Sequence, residues 1–182
     1  YGFPNLYKTI LEGTYSDNGD DFSIGGYGPV GVRGEYLVSE KLGVGVDFMI
    51  NNTNVSYNYI GYQTDANGNF VTDQDGALVE QTYEDKIATT KWGAMVTLNY
   101  HIINNDMLDF YFIAGAGYKN RNWSYESTDP NYQTEEVSST VIPVAARIGL
   151  GTRIFFTENI GANVGVGFGQ GGILTAGLSF AF

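Results

Sequence analysis

Leu42-Gly43-Val44-Gly45-Val46-Asp47-Phe48-Met49-Ile50 is the stretch that decides the fold. Leu42, Val44, Val46, Phe48 and Ile50 recur at every second position, and Gly43, Gly45, Asp47 and Met49 fill the places between. A period of two puts one set on each face of a β-strand. The charge sits on the glycine face, and the opposite face is wholly apolar.

The same alternation repeats outward from that stretch. Trp92, Ala94, Val96, Leu98 and Tyr100 oppose Lys91, Gly93, Thr97, Asn99 and His101. Ile142, Val144, Ala146, Ile148 and Leu150 oppose Pro143, Ala145, Arg147, Gly149 and Gly151. Ile160, Ala162, Val164, Val166 and Phe168 oppose Gly161, Asn163, Gly165 and Gly167. The pattern predicts eight strands, over about 6–16, 24–38, 42–60, 84–101, 108–125, 138–156, 160–168 and 173–182. Short connectors at 39–41, 102–107 and 157–159 alternate with polar ones at 17–23, 61–83 and 126–137. A fourth short connector, 169–172, falls on the side of the polar ones.

Composition limits what these strands can build. The 182 residues suit one domain, read as spanning 1–182. Charged residues are 16% against a usual ~25%, and 25 glycines are about twice the average share, which excludes coiled coil and charge-rich disorder. No cysteine is present, so disulfides, thiolate nucleophiles and thiolate metal sites are excluded. A net charge of −11 repels nucleic-acid phosphates, so no nucleic-acid partner is expected. No apolar stretch approaches the ~20 residues of a membrane helix, and Tyr1 to Lys8 carries no leader pattern.

A barrel or sandwich in water turns its large apolar set inward and covers its outside with charge. Charge is scarce on both faces here. The polar set mixes glycine with single Lys, Arg, Glu and Asp, as a narrow lumen holding tall side chains requires. The apolar set is therefore expected to face lipid, where only helices and closed barrels satisfy the backbone. The expected fold is all-β, an eight-stranded antiparallel up-and-down transmembrane β-barrel.

The last strand, Ile173-Leu174-Thr175-Ala176-Gly177-Leu178-Ser179-Phe180-Ala181-Phe182, ends on phenylalanine with Leu174, Ala176, Leu178 and Phe180 in phase. It resembles the C-terminal assembly signal of bacterial outer-membrane barrels, with Leu178, Phe180 and Phe182 as its residues. Taken with strand count, loop asymmetry and facing, the whole chain resembles the small outer-membrane barrels of the OmpA/OmpX type. The resemblance implies a bacterial outer-membrane location, periplasmic termini and extracellular long loops. It further implies delivery by the barrel-assembly machinery and contact with outer-membrane lipid and lipopolysaccharide. With nothing after Phe182, the peptidoglycan-binding domain of longer family members is expected to be absent.

Two aromatic girdles are expected. Tyr36, Tyr100, Phe110, Phe155 and Phe156 lie near the short turns, and Tyr15, Tyr57, Tyr59, Trp123 and Tyr125 lie toward the long loops. Alternation assigns Lys8, Glu12, Arg33, Glu35, Asp47, Lys91, Arg121, Arg147 and Arg153 to the lumen. Glu12, Arg33, Glu35, Asp47 and Arg147 form its expected central network. Eight strands enclose a radius that side chains fill, so these charges are expected to pair as a plug, with a gated ion path as the functional alternative.

Acidic residues crowd the presumed outer loops: Asp17, Asp20 and Asp21; Asp65, Asp73, Asp75, Glu80, Glu84 and Asp85; Glu126, Asp129, Glu135 and Glu136. They read as solvated surface, or more sharply as carboxylates bridged by divalent cations to lipopolysaccharide phosphates. Thr64-Asp-Ala-Asn-Gly-Asn-Phe-Val71 is echoed by Thr72-Asp-Gln-Asp-Gly-Ala-Leu-Val79, an eight-residue repeat. Its Asn67-Gly68 and Asp75-Gly76 pairs point to hairpin turns, and its spacing does not fit a calcium loop.

His101, the only histidine, ends the fourth strand beside a short turn, where a general base cannot reach outer-leaflet lipid. It is read as an interfacial or lumen side chain. No catalytic, metal-binding or cofactor-binding residue is expected. The chain is expected to be a non-enzymatic barrel for adhesion or membrane organisation. Alternatively it serves as an accessory subunit of a larger outer-membrane transport or assembly complex, with other outer-membrane proteins as partners. Lipid A modification is disfavoured by the histidine's position, and a soluble carrier by the facing.

Overall fold

The computed structural model describes residues 22–65, 67–132, 134–138 and 142–182. Within them the period-two segments form antiparallel strands: β1 (Phe22–Ser39), β2 (Leu42–Tyr62), β3 (Glu80–Asn104), β4 (Leu108–Ser127), β5 (Glu135–Ser138), β6 (Val144–Phe155), β7 (Ile160–Gly169) and β8 (Leu174–Phe180). They make one all-β sheet in the order β1-β2-β3-β4-β6-β7-β8, with β5 also paired to β4. The expected first strand, 6–16, lies outside the described residues, as do Lys8, Glu12 and Tyr15. The expected sixth strand, 138–156, is two pieces, β5 and β6, each paired with β4. Among the described residues the end strands β1 and β8 do not pair with each other.

Apart from register shifts at Tyr27/Val30 and Leu37/Ser39 on β1 and at His101/Ile103 on β3, neighbouring strands keep the register that the alternation demands, so each row across the sheet holds side chains on one face. The row Glu35, Gly45, Thr97, Gly115, Arg147 and Gly169 illustrates the plan. Tall polar side chains are separated by glycines, which leave them room. A Cβ on Gly45 would stand 2.7 Å from Thr97 Oγ1, and one on Gly165 would stand 2.9 Å from Thr175 Oγ1. Cβ atoms on Gly43 and Gly151 would strike Glu35 and Tyr111.

Curvature follows from one contact. Glu35 on β1 and Arg153 on β6 are joined by an ion pair, although four strand spacings would separate them by about 19 Å in a flat sheet. The sheet is therefore rolled, with these side chains on its concave face.

Short turns close one end. Asn105 Oδ1 accepts from the N–H groups of Met107 and Leu108, and Thr157 Oγ1 accepts from that of Ile160. Asn159 and Ala181 exchange hydrogen bonds that hold the end of the chain against the β6–β7 turn. At the other end, the repeat between β2 and β3 forms two alike turns, with φ of 83° at both Gly68 and Gly76. Asp65 and Asp73 each accept from the amides two and four residues on. Gln63, Val71 and Val79, one repeat apart, bond in a closed ring of three: the Gln63 amide to Val79, Val79 to Val71, and Val71 to Gln63.

Candidate functional site

Burial is inverted relative to a protein folded in water. Asp47, His101, Asn99, Thr97, Asp109 and Arg147 are buried on the concave face. The convex face exposes its large apolar side chains, with Val32 at 69%, Val46 at 63% and Leu178 at 69% of their full accessibility. The facing expected from Leu42–Ile50 is the facing observed.

The concave side holds a connected polar network near the short-turn end. Arg33 grips Asp47 through Nη2 at 2.7 Å and Nε at 3.2 Å, and its Nη1 donates to the Tyr111 hydroxyl at 3.4 Å. Arg153 joins Glu35 through Nη2 and Asp109 through Nη1 at 2.9 Å. Its guanidinium carbon lies 4.5 Å from the Tyr111 ring centre. His101 lies between two acids, Nδ1 2.6 Å from Asp109 Oδ1 and Nε2 2.9 Å from Glu35 Oε1. Seven strand-borne groups, Arg33, Glu35, Asp47, His101, Asp109, Tyr111 and Arg153, from β1, β2, β3, β4 and β6, thus lock the rolled sheet from inside. Buried ion pairs of this kind return their desolvation cost only when their remaining hydrogen-bonding positions are also filled.

Of the expected central residues, Arg33, Glu35 and Asp47 lie in this network. Arg147 lies apart, its Nη1 donating to the Gln170 carbonyl at 2.8 Å, and Glu12 is outside the described residues. Arg153, assigned to the lumen but not to its centre, is the hub. Asp109 and Tyr111 were missed altogether, although their alternation with Phe110 and Phe112 carries the same signal. His101 was placed on the correct end, but its two carboxylate partners are not adjacent in sequence. Ring and acids bind one another in a line, and among the described residues no group of three such side chains is placed to hold a metal ion.

A second cluster stands toward the long loops and corrects the expected upper girdle. Tyr57 and Tyr125 both donate to Asp85 Oδ2, at 2.8 and 2.9 Å, and Ser127 donates to Oδ1 at 2.6 Å. Tyr59 donates to Asp129 at 3.0 Å. These tyrosines share the face of the buried polar set because β2 and β3 pair without a slip from Leu42 to Tyr62. Burial pushes the Asp85 carboxyl up, but the three hydroxyl donors outweigh it and leave it below its ordinary value. The Asp85 carboxylate in turn pushes the Tyr57 hydroxyl up to about 12. The outward aromatic cluster lies seven residues further down β3, where Trp92 has Phe48 and Tyr118 as ring neighbours at 6.4 and 5.5 Å.

Leu178, Phe180 and Phe182 project in phase from the convex face. Neither the family models nor the curated proteins compared with this chain match it, so its function is argued from geometry and sequence alone.

Proposed function

We propose that the chain is a non-enzymatic integral outer-membrane barrel of the small OmpA/OmpX-like kind, with a lipid-facing wall, a plugged interior and acidic outer loops. The observation that carries this is an apolar band of constant height. Strands other than the short β5 run from 7 to 25 residues, yet the outward apolar rows end at similar levels: Leu42–Ile50 on β2, Trp92–Ile102 on β3, Phe110–Tyr118 on β4, Ile160–Phe168 on β7 and Leu174–Phe182 at the end. At ~3.3 Å per residue and a ~40° tilt these rows are about 20–26 Å tall, the height of an outer-membrane apolar band. Internal packing has no reason to cut strands of such different length at one level, whereas a bilayer does.

Lipid would require this sheet to close into a barrel, because an open edge leaves backbone groups unpaired there. Arg153, Glu35, Asp109 and His101 fill the interior, so the role falls to the outer loops, in adhesion or membrane organisation. The tall part of the wall, β1 to β4, rises far above the short β6 to β8. That one-sided height favours, as a second reading, an accessory subunit whose partner stands over the low side. Lipopolysaccharide would surround the outer rim, and Leu178, Phe180 and Phe182 would address the chain to the assembly machinery.

Trp92 offers the test. With Trp123→Phe as background, Trp92 fluorescence in reconstituted vesicles should be quenched by lipids brominated on their chains and be shielded from aqueous acrylamide. Full acrylamide quenching with no effect of bromine would sink the membrane reading.

A further inference from the structure

We propose that the tip between β2 and β3 is a docking knob for a basic, apolar protein segment, held by Tyr62, Phe70 and Leu78 and by the carboxylates around them. The tip has an approximate threefold plan. Three antiparallel pairings, Tyr62 with Glu80, Thr64 with Phe70 and Thr72 with Leu78, converge on the ring in which Gln63, Val71 and Val79 exchange backbone hydrogen bonds of 2.9 to 3.0 Å. One large apolar residue precedes each member of the ring, so Tyr62, Phe70 and Leu78 take equivalent places around it. The Tyr62 and Phe70 rings meet edge to face, with centres 6.2 Å apart. All three side chains are exposed, at 47%, 62% and 41%, and Ile60, on the same strand face as Tyr62, is exposed at 70%. These residues stand above Ile50 and Trp92, where the apolar band ends, so neither lipid nor internal packing accounts for them. A contiguous apolar patch with a polar rim marks an interaction surface.

The knob is also braced at its base. The Tyr83 hydroxyl donates to the Tyr62 carbonyl at 3.3 Å, and Asn131 Nδ2 donates to Thr64 Oγ1 at 3.1 Å. Aromatic anchors that are already fixed bind with little further loss of freedom. Charge then selects the partner. Asp65, Asp73, Asp75 and Glu80 are exposed on the tip, and no Lys or Arg occurs between Lys41 and Lys86. A second copy of the chain would bring the same carboxylates against these, and lipid phosphates are anionic as well, so both are repelled. A segment in which arginine alternates with apolar residues satisfies both halves of the surface. Its apolar side chains cover Phe70 and Leu78, and its guanidinium groups reach the carboxylates and the ring faces. The inference rests on the proposed role of the outer loops and names the chemistry of their partner.

Binding measured in a neutral detergent does not depend on the membrane reading, which Trp92 quenching tests, so the two can fail separately. A fluorescein-labelled peptide that alternates arginine with leucine is titrated with the full chain and followed by fluorescence anisotropy. The wild type should bind it, and Asp106→Asn/Glu158→Gln, which removes two carboxylates at the short-turn end, should bind it equally well. Phe70→Ser/Leu78→Ser should bind about tenfold more weakly or worse. So should Asp65→Asn/Asp73→Asn/Asp75→Asn/Glu80→Gln, in which asparagine keeps the turn hydrogen bonds and only charge is lost. Should a multiple variant not fold, Phe70→Ser and Asp75→Asn singly, each weakened about threefold or more, carry the test. Replacing leucine by serine or arginine by glutamate in the peptide should also weaken binding about tenfold or more. Equal binding by all variants, undiminished binding of either altered peptide, or no wild-type binding at about 100 μM chain would overturn the proposal.

Discussion

The lower and upper halves of β2 and β3 are the same strands in the same register, yet they are built differently. From Leu42 to Asp47 and from Gly93 to His101, exposed and buried positions alternate strictly. From Met49 to Tyr59 every position is half-buried, and on the outward side Asn52 bonds to Thr90 at 2.9 Å where Val44 and Val46 stand lower down. The pleat does not change between the halves, so the difference comes from what lies outside them. On the proposed reading the lower half meets lipid and must hide every polar group on one side. The upper half meets water, so Asp85 and its hydroxyl donors need only local partners.

The largest effect is expected where the lower half is broken from inside. Arg153→Ala leaves Glu35 and Asp109 facing each other without their shared cation. It should cost about 3–5 kcal/mol in reversible unfolding from lipid vesicles; a loss under about 1 kcal/mol would mean the interior is wet and loosely held. Next comes the outward face, where the two halves can be compared directly. Val46→Arg should cost about 2–4 kcal/mol, whereas Ile60→Arg, equally exposed but above the band, should change stability by about 0.5 kcal/mol or less. Equal costs would erase the distinction between the halves.

The smallest effect belongs to Asp85 and depends on pH. Its folded carboxyl lies below its ordinary value, so it contributes stability above about pH 4. That contribution is lost as pH falls through the lower folded value. Amide protection at Tyr57 and Tyr125, taken relative to the intrinsic exchange rate at each pH, should fall in acid with the lower half unaffected, and Asp85→Asn should remove that fall. A pH response unchanged in Asp85→Asn would assign it to another group.

Leu42–Ile50 and its echoes are enough to read an all-β chain, the strands from β1 onward except the break between β5 and β6, and which face is apolar, because a period of two is a local property of the backbone. The turns at Gly68 and Gly76 were legible for the same reason, since Asx side chains and positive φ act within four residues. Strand extent was not: β3 runs from Glu80 to Asn104, beyond the expected 84–101, because polar residues continue a strand whenever a neighbour pairs with it. The upper tyrosines form no girdle because height along a strand does not set facing: Tyr57 pairs with Asp85 across the strands and turns inward with it. Sequence by itself determined the alternation, the apolar and polar facing and the end of the sheet at which Arg33, Glu35, Asp85 and His101 lie. Only the tertiary structure decided which charges meet. Glu35, His101, Asp109 and Arg153 come together because the sheet rolls until β1 faces β6, and curvature is a property of the whole sheet that no single strand encodes.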